Sequence, residues 1–324
     1  GTVFACFDNH KKGDFAPYLL RSDDYGKSWK SIAGDLPERG TVHAVQQDHV
    51  NPGLLFCGTE FGAFFTVDGG DHWLQLESGL PVIAVRDLDL QRRETDLALG
   101  TFGRGIYILD DYTPLRHVSP ERFAQEEAML FPVRKAWLYH EATPLGGGAK
   151  GDQGHSFWQA DNPPHGAVFT YWLKEKTKTL AELRRAREKE ADEADKAVAY
   201  PSWDELRAED RQRDPAIIFT VSDADGRVVR RLVGSNAPGL HRLTWDLHDP
   251  SLRPAGTSVG DGSGPLVPPG TYTVSMALVV DEMATPLGEA RAFVCEPLGE
   301  ASVPPTSRRE VADFQRRCAE LQRA

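Results

Sequence analysis

Hydrolysis of a glycosidic bond needs two carboxyl groups facing each other across a sugar, roughly 5 to 10 Å apart, and capture of an anionic ligand needs guanidinium groups that can grip a carboxylate in bidentate fashion. The sequence offers one carboxylate in a well-defined turn, Glu60 in Thr59-Glu60-Phe61-Gly62, and one arginine between two glycines, Arg104 in Gly103-Arg104-Gly105. Lys11 and Lys12, with Asp14 close by, and Glu38 with Arg39 supply further charge. Other chemistry is weakly signalled. His43 and His49 lie near Asp48, and His140, His155 and His165 fall in a Gly- and Pro-rich stretch, but none has the spacing of a metal site. They read as solvated or core histidines. Asp223-Ala224-Asp225-Gly226 starts like a calcium loop, yet residue 234 is Gly where a Glu ligand is required, so it reads as a hairpin turn. The glycines at 146–148 do not follow a strand and open a helix as phosphate loops do. No metal and no cofactor are expected.

A scaffold must bring such residues together, and 324 residues allow about two domains. The net charge of −11 supplies no positive field for nucleic acid or anionic lipid. Apolar runs such as AIIFTV from Ala216 and MALVV from Met276 fall far short of the roughly 20 residues of a membrane span. Cys6, Cys57, Cys295 and Cys318 are too scattered for a disulfide framework. Gly 30 and Pro 22 indicate many turns between short strands.

Three stretches, 1–31, 41–76 and 82–111, resemble one another. Aligning Asp24, Asp68 and Asp111 gives the period of a four-stranded propeller blade. The middle repeat reads as strand A near 41–48, B near 54–59, C near 62–67 and D near 72–76; the first starts at B. Three blades cannot close a ring, so further blades are expected before residue 1. On this template the B-to-C and D-to-A loops share the usual ligand side. They carry Lys11, Lys12, Asp14, Glu38, Arg39, Glu60, Phe61, Phe102 and Arg104. Cys6 and Cys57 fall in neighbouring B strands, close enough to bond in principle, although packed reduced thiols are the more economical reading.

The octapeptide Ser22-Asp23-Asp24-Tyr25-Gly26-Lys27-Ser28-Trp29 fits S-x-D-x-G-x-[ST]-W, the Asp box, and Thr66 to Trp73 repeats it with His72 at the seventh place. Its elements, Ser22, Asp24, Gly26 and Trp29 and then Thr66, Asp68, Gly70 and Trp73, are structural: the Asp accepts from turn amides, the Gly allows the turn, and the Trp packs against the blade. With DLALGTFGRGIYILDDYTPLR (96–116), NPPHGAVFTYWLKEK (162–176) and DADGRVVRRL, these boxes resemble the large bacterial sortilin-type proteins with Asp-box (BNR) repeats, often labelled glycosyl hydrolases. The resemblance implies a long propeller region followed by an immunoglobulin-like domain, of which this chain is the C-terminal part. Phe102 stands where the family commonly has His, and the segment 174–214 is longer than the family's connection.

The expected architecture is therefore mainly β: blades of a propeller over 1–113, a linker with a strand over 114–165, an immunoglobulin-like sandwich over 166–298 and the start of a helix over 299–324. Alternating strands at 166–173, 216–224, 227–233, 240–247 and 270–280 build the sandwich. Asp225-Gly226 reads as a two-residue hairpin turn, and Ile218, Val221 and Trp245 as inward residues. Trp245 and Tyr272 read as core rather than a sugar platform. Thr179 with Glu182 and Ser202 with Glu205 have capping-box spacing, so the charged insertion at about 174–214 reads as two helices. The functional expectation is a binding or scaffold module, secreted or in the cell envelope, that takes a peptide or glycan through the complete ring. The alternative is a glycoside hydrolase, sialidase-like or of another Asp-box kind, with most catalytic residues in other blades.

Overall fold

In a computed structural model of the chain, which describes residues 1–139, 160–198, 200–250, 263–299 and 305–323, the three repeats become three antiparallel sheets. The glycines at 146–148, His140 and His155 lie outside the described residues. The first sheet is β1 (Val3–Asn9), β2 (Asp14–Ser22) and β3 (Lys30–Ser31). The second is β4 (Val42–Gln47), β5 (Leu55–Thr59), β6 (Gly62–Thr66) and β7 (Leu74–Gln75), joined in sequence order. The third is β8 (Val85–Gln91), β9 (Asp96–Thr101) and β10 (Ile106–Leu109), after which a short 3-10 helix, Thr113–His117, stands in place of a fourth strand.

Alternation puts opposite faces of each strand into different layers. On β5, Leu55 and Cys57 join Leu19, Ile32, Phe64 and Trp73 between the first and second sheets, whereas Phe56 joins Val85, Leu88, Leu97 and Tyr112 between the second and third. Cys6 and Cys57 are free thiols in the first of these layers, and burial pushes both thiols up. The second layer is closed by a buried carboxylate at the end of β4. Asp48 accepts from Arg116 Nε and Nη2 at 2.9 and 2.8 Å, from Tyr112 Oη at 2.9 Å and from the Asn51 amide at 2.8 Å. Burial raises this carboxyl, but these donors more than offset it and hold it at about 2.

The two octapeptides form the same turn. Asp24 accepts from the Lys27 and Ser28 amides and from both serine hydroxyls, and the Ser28 donors lower it to about 2. Asp68 accepts from the Asp71 and His72 amides, the Thr66 hydroxyl and the His72 ring; partial burial raises it, yet the donors hold it well below the carboxylate range. The tryptophans differ. Trp73 is 6% exposed and its indole donates to the Ile32 carbonyl of the preceding sheet, whereas Trp29 is 43% exposed and donates to Gly26 within its own turn. The expected packing of Trp against a blade is met only by Trp73.

The chain divides into two compact units, Gly1–Ala124 and Gln125–Ala324, with a short helix α1 (Pro120–Gln125) spanning the division. The second unit is a sandwich. One sheet runs in the order β11 (Ala128–Leu130), β13 (Ala167–Leu173), β16 (Gly239–Trp245). The other runs β12 (Ala136–Leu138), β21 (Arg291–Pro297), β19 (Gly270–Val280), β14 (Ala216–Asp223), β15 (Val228–Gly234), with β20 (Met283–Pro286) beside β19. A small pair, β17 (His248–Pro250) and β18 (Ser263–Leu266), completes it. Phe169, Phe219, Trp245, Tyr272 and Phe293 form an aromatic core of stacked, tilted and edge-to-face pairs, so Trp245 and Tyr272 offer no sugar platform.

Two details depart from expectation. On β14 the inward residues are Ile217, Phe219 and Val221, so Ile218 lies on the other face. The β14–β15 loop has three residues, not two: Asp223 N–H donates to the Arg227 carbonyl, and Gly226 takes the positive φ of 79° that such a loop needs. The charged insertion forms α2 (Leu180–Glu193) and α3 (Trp203–Arg211), each opened by a full capping box, at Thr179/Glu182 and Ser202/Glu205. Neither helix has a buried residue, and Arg184 joins them by bonds of 2.7 and 2.9 Å to Glu209. The last helix, α4, runs Pro305–Arg323.

Replacing residues 178–212 by a short Gly/Ser linker keeps Thr177 on Asn236 and Arg213 on Asp281, so unfolding by denaturant is expected to stay cooperative; dye binding to a molten second unit would show that the helices belong to the core. Acid should act on the first unit. Asp24 and Asp48 are held at about 2, below the roughly 3.9 of an unfolded Asp, so their contribution is complete above that value and is lost as pH falls from about 4 to about 2. Melting curves across that window should show the loss. Asp48→Asn should cost about 1–3 kcal/mol at neutral pH, because it removes the charge that the half-buried Arg116 pairs with and weakens the bonds from Tyr112 and Asn51.

Candidate functional site

The inner strands of the second and third sheets carry the same irregularity. On β4, Val42 pairs with Thr59 and Ala44 with Gly58, so His43 is an extra residue; on β8, Val85 pairs with Thr101 and Asp87 with Gly100, so Arg86 is the extra one. A bulge of this kind shifts the alternation and re-aims the unpaired side chain. The shift is visible in packing: Val42 and Val45, three apart, reach one apolar layer, and Val85 and Leu88, also three apart, reach the next.

Both bulged side chains meet Glu60, which stands on the β5–β6 turn. Thr59 closes that turn, donating its hydroxyl to the Gly62 carbonyl at 3.0 Å and accepting from the Phe61 amide. His43 Nε2 is 2.8 Å from Glu60 Oε2, Arg86 Nη2 is 3.3 Å from the same oxygen, and Arg86 Nη1 is 3.4 Å from His43 Nδ1. An arginine has no lone pair to offer, so His43 Nδ1 must be the acceptor. The ring is then the neutral tautomer that donates from Nε2 to Glu60. Arg86 also lies over the Phe102 ring, 5.6 Å from its centroid.

His43, Glu60 and Arg86 line a cleft of about 580 Å³ with Asp8, His10, Phe15, Arg39, Gly40, Thr41 and Phe61. Asp8, at the end of β1, accepts from the His10 amide at 2.8 Å and contacts the His10 ring, and those bonds lower its carboxyl. Arg39, in the connection between the first and second sheets, lies over Phe15 with 5.2 Å to the ring centroid. The Gly40 amide donates to the Phe15 carbonyl at 2.9 Å, which ties that connection to β2. Phe15 and Phe61 remain 42% and 46% exposed, a ring surface open to a ligand.

Of the residues singled out from sequence, Glu60 and Phe61 line this cleft and Arg39 joins them. Lys11 and Lys12 are exposed on a 3-10 turn beside it, and Arg104 is exposed on the β9–β10 turn; none of the three is among the lining residues. Asp14 braces its own strand start, accepting from Asn9, Ala16 and Tyr18. His43, Arg86, Asp8 and His10 are the additions. For His43 and Arg86 a signal was present: Val-x-x-Val at 42–45 and Val-x-x-Leu at 85–88 break strand alternation at the same place in successive repeats. Among the described residues no group of three or more His, Cys, Asp or Glu side chains is arranged to hold a metal ion, and no helix is long and apolar enough to cross a membrane.

No protein-family model matches the chain, and no curated protein matches it in sequence. Among solved structures it is similar to PorZ of Porphyromonas gingivalis, described as an essential bacterial surface component of the type-IX secretion system. That match has 12% identity and a TM-score of 0.29, over 91% of this chain and 37% of PorZ. It is also similar to the extracellular domain of BT4673, a hybrid two-component system protein of B. thetaiotaomicron, at 10% identity and a TM-score of 0.24, over 90% of this chain and 29% of that one. The chain thus spans about a third of the length of these structures.

Proposed function

We propose that the chain is the binding part of an Asp-box propeller protein of sortilin type, secreted or in the cell envelope, and that the cleft at Glu60 holds a glycan. The observation that carries this reading is the convergence of His43 and Arg86, each thrown out of its strand by a bulge, on Glu60 beside the exposed rings of Phe15 and Phe61. Sugar hydroxyls both donate and accept. They suit a surface where carboxylate oxygens and guanidinium and imidazole N–H groups alternate, and the C–H faces of a pyranose suit the rings. An extended peptide draws its affinity from main-chain bonds along a strand edge, whereas the groups that converge here are side chains from two bulges and a turn.

The repeat register supports a further sheet of the same kind as partner. Val3 and Trp29 are 44% and 43% exposed, whereas their counterparts Leu55 and Trp73 are buried against the first sheet. A preceding blade would cover Val3 and Trp29 as the first sheet covers Leu55 and Trp73. Asp8 and Glu60 in one cleft also give the hydrolase alternative a concrete pair. Binding is favoured over it because both carboxylates are engaged by basic side chains, an arrangement for accepting hydrogen bonds rather than for delivering a proton.

Calorimetry of the full chain against a set of neutral and acidic oligosaccharides should find binders, and Phe61→Ala should weaken them roughly threefold to tenfold through loss of ring contact. A chain that binds no oligosaccharide but takes peptides would refute the glycan reading. Turnover of chromogenic glycosides that disappears in Glu60→Gln would convert the binding site into an active site.

A further inference from the structure

The ionic groups of the cleft are matched within the protein, with one exception. Asp8 is taken by the amide and ring of His10, and Glu60 by His43 and Arg86. Arg39 has a ring under it but, among the described residues, no carboxylate beside it. A guanidinium that uses its face on Phe15 keeps its five N–H donors, which lie in the plane, for another partner. The bond from the Gly40 amide to the Phe15 carbonyl ties the backbone next to Arg39 to β2, which places the start of the arginine side chain at the cleft wall.

We infer that Arg39 is the anchor for an acidic group on the ligand, and that the cleft therefore takes a uronic-acid-containing oligosaccharide. This rests on the glycan reading above and adds the charge of the ligand to it. A planar carboxylate with a single charge fits the guanidinium fork. A phosphate monoester, which carries close to two negative charges, is disfavoured, because Asp8 and Glu60 line the same cleft and repel a more highly charged group. The neutral ring edges and hydroxyls of the sugar are left to Phe61, His43 and Glu60. The arginine singled out by its flanking glycines, Arg104, plays no part in this anchor.

The test compares tetragalacturonate with its methyl ester, which keeps the rings and removes the charge, by calorimetry on the full chain. The acid should bind roughly tenfold or more tightly than the ester, and the preference should shrink as salt rises. Arg39→Gln should bring the two forms to within about twofold, Arg39→Lys should keep part of the preference, and Phe61→Ala should weaken both forms alike. Arg39 is exposed, so the melting temperature of its variants should match that of the wild type. Equal binding of acid and ester, or a preference that survives in Arg39→Gln, overturns the anchor and leaves the glycan reading standing. So does binding of cellotetraose in the absence of any tetragalacturonate binding. Failure of every oligosaccharide up to about 10 mM, or tetraglutamate binding as tightly as tetragalacturonate and with the same dependence on Arg39, overturns the glycan reading itself.

Discussion

A Cβ atom at position 58 would lie 2.5 Å from the carbonyl oxygen of Val85, so only glycine lets β5 approach β8 as closely as it does. That approach fixes the spacing of the second and third sheets, and the site depends on the spacing. Arg86 follows Val85 directly and Glu60 comes two residues after Gly58; the backbone contact therefore sets how far the guanidinium must reach for the carboxylate. At 3.3 Å the reach is complete without the arginine leaving the Phe102 ring. A larger residue at 58 would push the sheets apart and open the Glu60–Arg86 pair before it disturbed the apolar layer as a whole.

The bulges solve a different problem. A regular inner strand would send His43 and Arg86 to one face and leave Val45 and Leu88 out of phase with Val42 and Val85. One extra residue near the start of each strand restores the apolar phase beyond it and spends the displaced position on a polar side chain aimed at the cleft. Two repeats, 43 residues apart at these positions, thus contribute different chemistry from one backbone device. The histidine supplies a neutral ring that relays between a carboxylate and a cation, and the arginine supplies the cation.

Legibility in the sequence followed the range of the interactions. The octapeptide turns were readable because Asp24 and Asp68 bond only within the next few residues, and the helical insertion because its capping boxes are equally local. Glu60 and Phe61 were readable because a tight turn between two short strands has few places to put its side chains. From sequence His43 reads as a solvated or core histidine, because its partners stand 17 and 43 residues away and meet it only through the bulge. At Ile218 and at the β14–β15 turn the sequence pattern and the structure differ by a single residue. A register error of one inverts the face of a strand without changing the pattern that suggested the strand.

Saturation separates the charges that hold the fold from those left for a partner. Asp24, Asp48 and Asp68 each accept from several donors inside the protein, and their depressed carboxyls record how completely they are used. A ligand could displace none of those donors without breaking a turn or exposing Arg116. The cleft is graded differently: Glu60 shares one oxygen between His43 and Arg86 and is partly exposed, so it keeps capacity to accept from a further donor without losing either. Arg39 lies at the far end of that gradient, held by a ring rather than by an opposite charge. A cation held in this way, at the wall of a cleft whose other described charges are matched, is what the proposal of an anionic ligand rests on: its in-plane N–H donors face no carboxylate among the described residues.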